Sequence, residues 1–121
     1  MSIPSQIVSA GANVTLATAI VGVGEDDIVA TGTDAATARQ LTNTYNSVDT
    51  VAVGTGVKLP PTQAGMTIWI ANSGANTMKV YPYEAATTIN QNPSASLQKD
   101  HVSIFFAVTN ALWYSIDGNK N

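Results

Sequence analysis

The stretch from Ile68 to Tyr83, IWIANSGANTMKVYPY, constrains the fold of this chain more than any other. Apolar residues alternate with others on both sides of Asn-Ser-Gly-Ala-Asn, the period of a half-buried strand rather than of a helix. The glycine-asparagine step between the two segments is turn chemistry, so the spacing predicts a hairpin. If Ala71 pairs with Thr77, Trp69 faces Lys79 and Ile68 faces Val80. Ile68, Ile70, Met78 and Val80 then form a core face. Trp69, Ala71, Thr77, Lys79 and Tyr81 form the opposite, amphipathic face, and a one-residue slip of the loop reverses one strand.

Short extended segments recur along the rest of the chain. VDTVAV from Val48 reads as a strand, and GTGVKLPP after it as turn or polyproline backbone. EAATTINQNPSASLQKD reads as a turn-rich link with strand pieces around Ile89 and Leu97. The sequence closes on a second hairpin, HVSIFFAV and LWYSI joined by TNA. Its pattern places Val102, Ile104, Phe106 and Val108 on one face opposite Leu112, Tyr114 and Ile116. One short helix is expected where Asp34 can cap AATARQLTNTY. Residues 1–32 are read as an N-terminal arm or edge strands around the acidic turn GVGEDD, and residues 33–121 as the β domain. The fold class expected is mainly β: an antiparallel β-sandwich or flattened barrel with one short helix and an N-terminal arm. GAN at Gly11–Asn13 and again at Gly74–Asn76 is too short a match to establish a repeat.

With 121 residues the chain fits one domain, and with no cysteine it has neither a disulfide framework nor a thiolate metal site. Charged residues make up only 11% of it against 45% hydrophobic, roughly half the charge share of an average soluble protein. That balance suits a chain packed against other subunits. The net charge is −3 and the five cations are scattered singly, so there is no basic patch for phosphates and nucleic acid is not expected as a partner. No segment has the ~20 continuous apolar residues of a membrane helix, and the first residues lack the positive start of a secretion signal. A chain made in the cytoplasm, with no membrane partner, is expected.

Catalytic signatures are missing. His101 is the one histidine, and its neighbour Asp100 would point to the other side of a strand and could not orient it. Glu25, Asp26 and Asp27 are contiguous acids whose side chains diverge in extended backbone, which favours a solvated turn over a calcium site. GVG and GTGVK lack the ending of a phosphate loop and read as turn glycines. The chain is therefore expected not to be an enzyme and to need neither cofactor nor metal. Trp69, Lys79, Tyr81 and Tyr83 are the candidate interface residues. The group fits a sugar platform, a protein interface, or an outer face covered by the chain's own arm or helix.

Gly56-Val57-Lys58-Leu59-Pro60, Gly65, Ile68, Ile70, Asn72, Gly74-Ala75-Asn76, Met78, Val80-Tyr81-Pro82, Ile89-Asn90, Phe105-Phe106 and Trp113 follow one another in a telling order. From Ala35 to Ile116 this text resembles a module of tailed-bacteriophage virion proteins, and as a nearly stand-alone module it is most similar to the head decoration (cement) protein family. The resemblance implies a non-enzymatic structural protein on the capsid exterior of the virion. It also implies homotrimers at local three-fold positions, with arms reaching the neighbouring major capsid protein. A tail or fibre adhesion module that binds host-surface glycans through Trp69, Tyr81 and Tyr83 is the alternative.

Overall fold

The computed structural model describes residues 23–119. The first six strands of this span are β1 (Gly24–Val29), β2 (Arg39–Gln40), β3 (Tyr45–Thr50), β4 (Gly56–Lys58), β5 (Thr67–Asn72) and β6 (Met78–Tyr81). They alternate between two sheets. β1, β3 and β5 lie side by side and parallel in sheet A, and β2, β4 and β6 do the same in sheet B. Over the described residues the chain thus coils three times, each coil laying one strand on each sheet, in the manner of a β-solenoid.

The next elements close this coil with antiparallel pairing. β8 (Ala95–Leu97) pairs with β6 on sheet B, and β9 (His101–Thr109) pairs with β5 on sheet A. β10 (Leu112–Asn119) folds back on β9, and the short β7 (Thr88–Ile89) runs parallel to β10 at the far edge. Between the sheets lies one core in which Ile28, Leu41, Val57, Leu59, Ile70, Met78, Val80, Leu97, Phe105 and Trp113 are almost wholly buried.

The mainly β class expected from sequence is what the chain adopts. The sandwich or flattened barrel is not: the sheets are built from parallel coils. Asn-Ser-Gly-Ala-Asn turns a corner from sheet A to sheet B instead of closing a hairpin, so Ala71 does not pair with Thr77 and Trp69 does not face Lys79. Side chains make the corner. The Asn72 amide donates to the Asn76 and Leu97 carbonyls, both at 2.9 Å, and its carbonyl accepts from the Gly74 amide at 3.0 Å. The Asn76 amide reaches the Val51 carbonyl at 2.8 Å, which ties the corner to the one below it. Ile68, Ile70, Met78 and Val80 are buried as expected, because alternation fixes the inward face whichever strand is the neighbour.

No helix is present among the described residues. Asp34 does cap, but it caps a single turn. Its carboxylate accepts from the Thr37 amide at 2.9 Å and the Thr37 hydroxyl at 2.7 Å, and Arg39 and Gln40 then leave the turn to pair with β4. A helix of two to three turns gains little once nucleated, and here its residues gain a sheet ladder instead. Of segment 1–32, β1 stands at the edge of sheet A, while residues 1–22, with the first GAN and the expected arm, lie outside the described residues. The second hairpin forms as read, with Phe106 opposite Tyr114 and Ile104 opposite Ile116.

Candidate functional site

The expected interface residues are distributed over both sheets. Trp69 stands on the outer face of sheet A, and Lys79, Tyr81 and Tyr83 belong to sheet B and the loop after it. Trp69 is the centre of a row that crosses four strands in register: Tyr45, Trp69, Ile104 and Ile116. The Tyr45 and Trp69 rings lie 6.1 Å apart, and the next row along the strands holds Phe106 and Tyr114 with rings 6.3 Å apart. Tyr45, Trp69, Val102 and Ile116 are 47%, 39%, 43% and 61% exposed. Together with Val108 they leave bare apolar surface on the order of 500 Å², the size of the largest such patch on a typical monomer, which is often functional. The hairpin residues carrying most of this patch were grouped correctly in sequence as one face, but that face points out. Ser103, Phe105, Ala107 and Trp113 point in.

On sheet B the outer face has a different character. The Tyr81 ring lies over Gly56, where a methyl group would come 3.0 Å from its Cε2 and 2.5 Å from the Lys79 carbonyl oxygen. Its hydroxyl donates to the Thr33 carbonyl at 3.2 Å. Tyr81 is therefore packed against its own chain. Tyr83 is 42% exposed, with the Lys58 ammonium 5.0 Å from its ring centroid, and Lys79 donates to the Ser96 hydroxyl at 3.2 Å. A groove of about 500 Å³ opens here, lined by Ala35, Lys58, Tyr81, Pro82, Tyr83 and Pro93 among others.

One wall of the groove is anchored to the core. The Trp113 indole N–H donates to the Thr62 hydroxyl at 2.9 Å, and that hydroxyl donates to Glu84 at 2.7 Å. The Thr62 amide and the Thr87 hydroxyl also donate to Glu84, at 2.9 and 3.3 Å. Burial by itself pushes the Glu84 pKa up, but these bonds and one from its own amide outweigh it and hold the group below the ordinary glutamate range.

Charge is divided between the sheets. Among the described residues, the strands of sheet A carry Glu25, Asp26, Asp27, Asp49 and Asp117 and no lysine or arginine, and those of sheet B carry Arg39, Lys58 and Lys79 and no acid. Glu25 and Arg39 point inward and meet at 2.9 Å, bridging the two sheets at the first coil, where the Asn43 amide also binds Glu25. The outer-face charges of the two sheets have no ionic partner among the described residues.

A bulge in β1 brings Asp26 and Asp27 against Asp49 of β3, so that one oxygen of each lies within 4.8 Å of the others. The expectation that the contiguous acids diverge fails at this bulge, where Asp27 takes a φ of 58°. These three are the carboxylates through which the described residues could hold a hard cation. A hydrogen bond with Asp49, then the charge of Asp26, pushes the Asp27 pKa up. His101 has a partner that sequence reading missed: its Nδ1 lies 3.0 Å from the Asp117 carboxylate, across the β9–β10 pair. The nearby Ser103 hydroxyl donates to the Ile116 carbonyl at 3.0 Å and no hydroxyl is placed as a nucleophile for the histidine among the described residues. No helix among the described residues is long and apolar enough to cross a membrane.

No family model, curated protein or solved structure matches the chain.

Proposed function

We propose that this chain is a structural protein of a tailed-phage virion: a homotrimeric decoration or cement protein, made in the bacterial cytoplasm. It binds the assembled lattice of major capsid protein on the head exterior and performs no catalysis. The observation that carries the reading is the bare apolar outer face of sheet A, a surface suited to assembly against another subunit. The low charge and the motif text from Ala35 to Ile116 support it from the sequence side. In mechanism, a protein that binds several capsid subunits at once, and only when they are assembled, adds its shared binding free energy to the cost of separating them.

Purified protein should sediment as a trimer and rebind heads from which it has been stripped, raising the temperature at which they break open. A chain that ignores such heads would overturn the proposal. The second reading, an adhesion module, has the groove beside Tyr83 and Lys58 in its favour. Trp69, on the other sheet, cannot share that platform. A glycan-array signal that disappears in Tyr83→Ala, without affinity for heads, would establish it instead.

A further inference from the structure

The apolar row on sheet A borders a shallow concavity lined by Tyr45, Trp69, Val102 and Asp26 among others, and among the described residues no strand of its sheet carries a lysine or arginine. The groove on sheet B has aromatic and proline walls, with Lys58 and the hydrogen-bonded Glu84 in its lining and Lys79 on a neighbouring strand. The strands of each sheet carry the charge that those of the other lack. We infer that copies of this chain associate head to tail, the outer face of sheet A in one copy seated on the outer face of sheet B in the next.

The competing arrangements pair like with like. A two-fold contact of sheet A with sheet A would bury Asp26, Asp27 and Asp49 against a face that offers no cation, leaving them desolvated without a partner. A contact of sheet B with sheet B would oppose Lys58 and Lys79 to their own copies. Only the mixed contact brings the acids of sheet A against the lysines of sheet B. In it, burial of the Trp69 row supplies the affinity, and the charges select which faces meet. Such heterologous contacts close into a ring or continue as a stack; the proposed trimer requires the ring, and an open stack would overturn the inference. The inference concerns the self-association within the proposed function; head binding does not depend on it, and the test uses purified protein without heads.

Two variants each disable one face: Trp69→Glu with Asp49→Lys for sheet A, and Lys58→Glu with Lys79→Glu for sheet B. In analytical ultracentrifugation the wild type should form an oligomer and each variant alone should be a monomer, its association weakened at least ten-fold. Mixed in equal amounts, the variants should form a two-copy species, since one retains an intact sheet B face and the other an intact sheet A face. Val53→Glu, at a turn position that is 83% exposed, should leave the mass unchanged. If the first variant fails to fold, Asp26→Lys with Asp49→Lys carries the same test. A monomeric wild type, a mixture that stays monomeric, or loss of association only in the sheet A variant would each overturn the inference.

Discussion

Gly74 shows how little room a single position has in this fold. A methyl group there would lie 2.6 Å from Val51 Cγ2 and 2.9 Å from the Val51 amide nitrogen, because the corner after β5 rests on the corner after β3. Gly74→Ala should therefore cost about 2 kcal/mol through overpacking, read as a lower urea midpoint with unchanged m. Glu84 sets a pH dependence. Its folded pKa is lowered, so its stabilisation is present above the ordinary glutamate range and is lost as the pH falls through the folded value. Glu84→Gln should be less stable than the wild type near neutral pH, and the difference should shrink in acid. Asp27 has the opposite sign: its pKa is raised, so its contribution is present in acid and lost as the pH rises. Asp27→Asn should raise the denaturation midpoint at neutral pH, helped by the tolerance of asparagine for the positive φ at this position.

At the level of elements, the closing hairpin carries the largest buried side chain, Trp113, with no exposed surface, on a strand that touches both β9 and β7. Trp113→Ala should cost roughly 3–5 kcal/mol in chemical denaturation, from the cavity and from the lost bond to Thr62. The strands themselves were legible in the sequence, because alternation writes the inward face of Ile68, Ile70, Met78 and Val80 directly. Their partners were not. A five-residue link with Gly-Ala-Asn serves a hairpin or a corner equally well, and what decides is the bonding of Asn72 to Leu97 and of Asn76 to Val51, residues about 25 positions away. The orientation of the last hairpin was hidden for a related reason. HVSIFFAV is apolar on both faces, and only the small, buried Ser103 and Ala107 mark the inner one. Asp117 escaped notice as the partner of His101 because the pairing register, not sequence distance, brings them together.

Taken whole, the molecule is electrically two-faced, with the acids of sheet A and the cations of sheet B on opposite sides of one core. If the faces meet head to tail, raising the salt concentration should slow association more than it speeds dissociation, since screening acts on encounter while the apolar row governs release. Stopped-flow light scattering over a salt series would measure both rates. The coiled plan has another consequence. Each turn of chain, roughly twenty residues, advances the stack by one strand spacing of about 4.8 Å. The antiparallel hairpin seals one end against further growth, while every coil before it presents the same parallel edges to the next. The body is thus a ruler with a fixed stop at that end. Duplicating or deleting a coil between β2 and β5 would change its length in whole steps and leave the sealed end intact.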